Sequence, residues 1–350
     1  MTATTSFQAA ILEKSKQPLI VAPIEFDGPL LPGQVLVRID YSGICGAQIN
    51  EIDAVKGPDR FLPHLLGHEG YGEVIAIGPA VSTVNTGQKV VLHWMQGTGI
   101  QSDPPTYRSG TSKVNAGWVT TLSQMAVVSE NRCTPVDSRL DPTVLPIFGC
   151  AATTAAGVVG KEAQVRLGES VVVLGAGGVG LLSIMAARAS GAADIIAVDL
   201  VDSRLAAAIE NGATTALQAS DNQNVKSGIL SELGGPPDVI IETTGAKVMI
   251  ELAYELAQPR GRAILVGVPR VDEPALIETL ALHFGMVFTG SKGGSTEPAH
   301  DIPMLIRSAE KGIFPVNKIP ITVFALSQVN EAFDALRAGM PGRMVIACQE

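Results

Sequence analysis

Cysteine is scarce in this chain, with 4 in 350 residues. So few, at Cys45, Cys133, Cys150 and Cys348, exclude a disulfide framework. In a reducing compartment each is a buried thiol, a metal ligand or a nucleophile; for any one taken alone, a small buried hydrophobe is the plainest reading. Long apolar runs are missing as well. No segment holds the about 20 consecutive apolar residues of a membrane-crossing helix. The first stretch lacks a leader core, since Glu13, Lys14 and Lys16 cluster there. Basic stripes are also absent, and a net charge of -9 argues against nucleic acid as a partner. The expectation is a cytoplasmic protein with neither a nucleic-acid nor a membrane partner. Solenoid repeats and low-complexity tracts are lacking too.

What is present is core material. Apolar residues make up 46% and charged residues 17%, on a chain long enough for two domains. The texture changes near residue 150. Before it, short β-branched or alternating runs are broken by Gly and Pro: Gln34–Asp40, Tyr71–Ile77, Gln88–His93 and Gln124–Ser129. Their spacing predicts an all-β unit, barrel-like or sandwich-like. Gly97–Ala116 is polar and rich in Gly, Ser and Pro, and predicts a long loop.

From about Val165 strands and helices alternate. Ser170–Leu174 is a short apolar run, and Asp194–Asp199, Asp238–Ile241 and Ala263–Val268 read as further strands. Val179–Ser190, Ser203–Asn211 and Lys247–Ala257 are the helices between them. A short apolar run such as Ser170–Leu174 suits a strand covered on both faces, and the alternation predicts an α/β fold with a doubly wound parallel Rossmann sheet. Past Lys292 the texture changes again: Ile302–Lys311 and Leu326–Arg337 read as helices and Arg343–Ala347 as a last strand.

Gly175-Ala176-Gly177-Gly178-Val179-Gly180 directly follows the strand Ser170–Leu174 and opens a helix. A Gly-x-Gly-x-x-Gly in a chain with 37 glycines says little alone. Strand, turn, helix and a later acid together read as a dinucleotide site. Gly175 permits the tight turn, Gly177 admits a pyrophosphate, and Gly180 lets helix and strand pack closely. The helix N-terminus offers free N–H groups and partial positive charge to the phosphates. Asp199, ending the next strand, suits the ribose hydroxyls and would repel a 2′-phosphate, which favours NAD over NADP. Arg204 supports the ribose or phosphates, or is simply a solvated helix residue.

Cys45, His68 and Cys150 are each ambiguous. Together they offer two thiolates and an imidazole, a donor set suited to zinc with a fourth position left for water or substrate. With these motifs in view, GICG, LLGHEGYGEVIAIG, the cysteine ahead of the dinucleotide domain and VVVLGAGGVGLL, the chain resembles the zinc-containing medium-chain alcohol dehydrogenases. The resemblance runs from Gln34 to Val345. It implies a GroES-like catalytic domain over residues 1–151, rejoined by 293–350, around a Rossmann domain at 152–292. It implies Cys45, His68 and Cys150 as ligands of a catalytic zinc, with Glu69 behind the metal and able to approach it. Thr154 and the backbone of Val266 would lie near the nicotinamide, and Arg343 would reach the pyrophosphate. The implied activity interconverts an alcohol and its carbonyl by hydride transfer with NAD. Relatives pair through the edge of the Rossmann sheet, here expected near Arg262–Val268, as dimers or tetramers.

Two departures qualify the resemblance. Many relatives bind a structural zinc through four clustered cysteines. The matching stretch, His93–Trp118, has none, so one zinc per chain is expected. Trp94, Tyr107, Arg108 and Trp118 instead hold that stretch by packing, or merely cover the β-unit. Relatives also carry Ser or Thr two positions past the first ligand, then Asp; here stand Ala47 and Gln48. Ala47 cannot relay a proton, which leaves Glu51, Asp53, His93, Thr154 or water. An uncharged alcohol is expected because no arginine cluster marks an anionic pocket, and the polar 97–116 stretch favours a polyol, sugar or cyclitol. The alternatives are a catalytically silent NAD-binding protein and a metal-free enone or quinone reductase of the same fold.

Overall fold

The computed structural model describes residues 4–219 and 221–350. At its centre on the β-rich side is the strand Gln34–Gly43. It pairs antiparallel with Glu69–Ile77, with Met125–Ser129 and with the C-terminal strand Arg343–Ala347. Lys89–His93 and Cys133–Pro135 extend the sheet on one side, and Ile321–Ala325 on the other. Period-two alternation sends Val35, Val37 and Ile39 to one face, where they meet Val74, Val90, Leu92 and Met344 in a buried cluster. The last strand is therefore stitched to the first part of the chain by the register Val345↔Gly43.

A closed five-stranded barrel adjoins this sheet, built from Thr5–Leu12, Ile20–Phe26, Thr106–Ser109, Ser112–Asn115 and His64–Leu65. Here the structure corrects the loop expected at 97–116. Thr106–Ser109 and Ser112–Asn115 form a hairpin that joins Ile20–Phe26. Tyr107 and Val114 are its buried residues, against Phe7, Ile11 and Ile24. One inward side chain per four-residue strand is too little periodicity to read in a sequence. Tyr107 packs edge-on against Phe7 with ring centroids 5.7 Å apart, and its hydroxyl accepts the Val127 N–H at 2.9 Å. Arg108 pairs with Glu25 and Asp27 at the surface, Arg132 lies over the exposed Trp118 ring, and Trp94 packs into the β-sheet core.

The other unit is a six-stranded parallel sheet. Its strands run Thr215–Gln218, Asp194–Asp199, Ser170–Leu174, Val239–Glu242, Arg262–Leu265 and Val287–Gly290 across the sheet. Val171 and Val173 face one core while Val172 and Leu174 face another, which is why every residue of the strand after Ser170 is apolar. The order reverses between Ser170–Leu174 and Val239–Glu242, placing a crevice at their carboxyl ends. The pairing edge expected near Arg262–Val268 is corrected as well. Arg262–Leu265 is hydrogen-bonded on both sides, and Val287–Gly290 is the edge. The helix Pro298–Glu310 buries Ile302, Leu305, Ile306 and Ala309 in the core that contains Val171 and Val173. No helix of the described residues is long and apolar enough to cross a membrane.

Candidate metal centre and dinucleotide cleft

Three separate elements carry the sulfur and imidazole donors. Cys45 caps the helix Gly46–Ile52 from extended backbone, at φ -122 and ψ 151. His68 precedes the strand Glu69–Ile77, and Cys150 precedes the helix Ala151–Gly157. The fold brings one donor atom from each to within 4.8 Å of the others. A tetrahedral zinc with bonds of about 2.0–2.3 Å needs donors roughly 3.5–3.8 Å apart, so the three match that ion with a small contraction. Among the described residues they are the one such group.

The electrostatics suit a cation. The Cys45 thiol is held well below its ordinary pKa, first by the Cys150 thiol beside it and then by His68 and Arg343, against the opposing effect of burial. Cys150 is driven the other way by Cys45 and by burial, with Thr154 and Trp94 at its sulfur pulling back. The two neighbouring sulfurs thus push each other's thiols in opposite directions, a conflict that a bound cation relieves by favouring the thiolate of both.

Glu69 lies behind these donors, fully buried, with its carboxylate on the Arg343 guanidinium and accepting the Ala151 N–H at 3.3 Å. Arg343 also lies against the phosphate-binding turn: a Cβ on Gly178 would meet its Cδ at 2.8 Å. One buried arginine therefore spans from the metal donors to the dinucleotide turn, and its Nε has no partner.

That turn is built as its glycines require. Gly175 has φ +95, and a Cβ there would meet Thr243 Oγ1 at 2.6 Å. A Cβ on Gly180 would lie 1.9 Å from the Gly175 carbonyl oxygen, so the helix approaches the turn this closely only because Gly180 lacks a side chain. Gly177 is the opposite case, with nothing within 4 Å of a Cβ: the space is open. Val179 follows in the first turn, partly buried, and no side chain caps the helix Gly178–Ala189. Its terminal N–H groups are left for an anion.

Asp199 is buried and preset. It accepts the Ala176 N–H at 2.8 Å and the Val201 N–H at 3.0 Å, with Arg204 at 3.8 Å. Arg204 donates to the Gly339 carbonyl at 3.1 Å, so it ties the cleft to the C-terminal segment rather than standing in solvent. Val266 is hydrogen-bonded to Glu242 through its N–H at 2.7 Å, at the far side of the switch point. Sequence reading missed Glu242 and Thr243. Buried Glu242 accepts the Thr244 and Gly245 N–H groups, and Thr243 Oγ1 donates to the Leu174 and Gly175 carbonyls. An acid ending an otherwise apolar strand was the available signal.

Of the proton-path candidates, two are committed elsewhere. Asp53 pairs with both terminal nitrogens of Arg337 at 2.7 and 2.8 Å, which lowers its pKa. Buried His93 has Nδ1 on the Met95 carbonyl at 2.8 Å and Nε2 on Thr134 Oγ1 at 2.9 Å, and burial pushes its pKa down to about 4. Glu51 sits where desolvation raises its carboxyl against the pull of His68. Thr154 is buried beside the Cys150 sulfur.

A Rossmann sheet joined to a GroES-like β-unit, with soft metal donors beside the phosphate turn, defines a two-domain dehydrogenase. Comparison with known proteins agrees. The family described as alcohol dehydrogenase GroES-like domain matches residues 31–138, and zinc-binding dehydrogenase matches residues 178–311. Geraniol dehydrogenase of Castellaniella defragrans is 29% identical, with 95% of each chain covered. S-(hydroxymethyl)glutathione dehydrogenase of Haemophilus influenzae is 27% identical over 98% of this chain and 97% of its own. Among solved structures, an alcohol dehydrogenase zinc-binding domain protein from Burkholderia ambifaria superposes with TM-score 0.91 at 28% identity over 99% of both chains. Benzyl alcohol dehydrogenase of Acinetobacter calcoaceticus gives 0.88 at 27%, covering 98% of this chain and 99% of that one. The chain belongs to the zinc-containing medium-chain alcohol dehydrogenase family. It is an oxidoreductase that interconverts alcohols and carbonyl compounds.

Proposed function

We propose that Cys45, His68 and Cys150 hold a single catalytic zinc, that the cleft binds NAD, and that no second, structural zinc is present. The carrying observation is the convergence of three donors from distant parts of the sequence to within 4.8 Å. When bound, zinc supplies Lewis acidity that favours the alkoxide of the alcohol, and NAD accepts the hydride. The protein's part is placement. Glu69 and Arg343 brace the donors from behind, and Arg343 reaches toward the phosphates. Gly177 leaves room for the pyrophosphate, Asp199 receives the ribose hydroxyls and Arg204 buttresses that end. Thr154 and the backbone of Val266 flank the nicotinamide. With Ala47 unable to carry a proton, and Asp53 and His93 engaged, Glu51, Thr154 and water carry it outward.

The division that goes with this reading is a catalytic domain of residues 1–151 and 293–350 around a dinucleotide domain of 152–292. The pairing of Arg343–Ala347 with Gln34–Gly43 supports it. Copies of the chain pair as a dimer or tetramer through the Val287–Gly290 edge, where Leu280 and Phe284 are exposed. The substrate is an uncharged alcohol, in the finer reading a polyol, sugar or cyclitol secondary alcohol. Metal analysis, then NAD reduction over an alcohol panel before and after chelation, tests the proposal. Geraniol and benzyl alcohol, named for two relatives, form the competing arm. Close to one zinc per chain and chelator-sensitive turnover are expected; full turnover without metal refutes it.

A further inference from the structure

Gln48 is fully buried beneath the donors, on the helix that Cys45 caps. Its Oε1 accepts the Cys45 backbone N–H at 2.6 Å, and its Nε2 lies 3.1 Å from His68 Nδ1. A backbone N–H can only donate, so the amide cannot be turned over without orphaning it. The oxygen must face Cys45, and the NH2 must face His68. An NH2 group needs a lone pair opposite it, so Nδ1 must be bare and the ring proton must sit on Nε2.

That tautomer opposes metal binding. With Nδ1 engaged by Gln48, Nε2 is the nitrogen left for a cation, and a neutral imidazole has one lone pair. Putting it on Nε2 moves the proton to Nδ1, where it confronts the protons of the Gln48 amide. Turning the amide strands the Cys45 N–H, removing the second ring proton makes an anion, and leaving the clash loses a buried hydrogen bond. Every route raises the energy of the metal-bound state. A carboxylate has no such conflict, since one oxygen accepts from Cys45 and the other from Nδ1–H.

We propose that Gln48 is a positioning residue that sets His68 in the tautomer unfavourable for coordination, making this a weak, exchangeable metal site. The inference rests on Cys45, His68 and Cys150 being the ligands. Outer-shell partners of a ligating histidine change metal affinity by about 10–100-fold. Gln48→Glu therefore tightens zinc binding by about ten-fold or more, measured by chelator competition on the metal-stripped full-length protein.

Two further readouts keep the test decisive. Titration with cobalt follows the thiolate-to-cobalt absorption, which reports the sulfur ligands themselves. Nitrogen-15 shifts of the His68 ring in the metal-free wild-type protein report the tautomer without any substitution, with the proton expected on Nε2. A folded Gln48→Glu protein with unchanged or weaker affinity overturns the proposal, as does a ring proton found on Nδ1. Were both proteins to bind cobalt with the thiolate band and equal affinity, the inference about Gln48 alone would fall. If neither shows that band, the three-ligand reading falls and takes this one with it.

Discussion

Replacing Arg343 by Met should destabilise the protein by about 3–5 kcal/mol, the usual result of leaving one member of a buried ion pair without its partner. The side chains of Arg343 and Glu69 are 5% and 0% exposed, so no solvent screening softens the loss. Without Arg343, the Glu69 carboxylate keeps only the Ala151 N–H at 3.3 Å, a long bond for a full charge. Typical domains are stable by about 5–15 kcal/mol, so the loss is a large fraction of the whole. Glu69→Gln should cost less, because an amide oxygen still accepts from the guanidinium. The double variant Glu69→Gln/Arg343→Met should cost less than the two singles added, by at least about 1 kcal/mol, because the residues are in contact. Urea unfolding followed by tryptophan fluorescence, on protein free of metal and cofactor, removes stabilisation by ligand binding from the comparison. A cost under about 1 kcal/mol for Arg343→Met, or strict additivity in the double variant, would refute the reasoning.

The glycines of the phosphate turn should separate by readout. Gly177→Ala, whose Cβ meets nothing, should leave the urea midpoint unchanged while weakening NADH about ten-fold or more, roughly 1.4 kcal/mol, in a fluorescence titration. Gly180→Ala, with a Cβ 1.9 Å from the Gly175 oxygen, should lower stability by about 1–3 kcal/mol as helix and strand are forced apart, seen as a lower thermal midpoint. His93, with a folded pKa of about 4 against an ordinary 6.5, stabilises the fold fully above pH 6.5. That contribution, up to about 3 kcal/mol, is lost as pH falls from 6.5 toward 4, because the unfolded chain takes up a proton that the buried ring refuses. His93→Gln should flatten the stability profile in that window, and an unchanged slope would remove His93 as its cause. Asp199→Ser should narrow the preference for NADH over NADPH in binding titrations; an unaltered ratio would mean the carboxylate does not face the ribose.

Much of the fold was legible because some segments carry a complete local signal. Val171–Leu174 is buried on both faces, so its residues are all apolar, and the glycine turn after it leaves no room for a Cβ at Gly180. The strand–turn–helix and the acid at Asp199 could therefore be read in order along the chain. Where only one side chain per strand faces inward, as Tyr107 and Val114 do in the hairpin of 106–115, no periodicity builds up and a strand reads as loop. The edge of the parallel sheet was misplaced for a related reason: whether Arg262–Leu265 has one neighbour or two depends on Val287–Gly290, a partner chosen by the fold.

The sequence alone determined the phosphate-binding turn, the α/β order and the inventory of thiol and imidazole groups, because each is set by residues a few positions apart. Tertiary structure decided which donors meet. Cys45, His68 and Cys150 are distant in the chain, and only the packing of the β-unit on the helix Ala151–Gly157 brings them together. It also decided which acids are spoken for, since the Arg337 that claims Asp53 and the Arg343 that claims Glu69 arrive from the far end of the chain. And it fixed the orientation of the Gln48 amide, for a side chain's donor and acceptor ends are sorted by the groups that surround it in space.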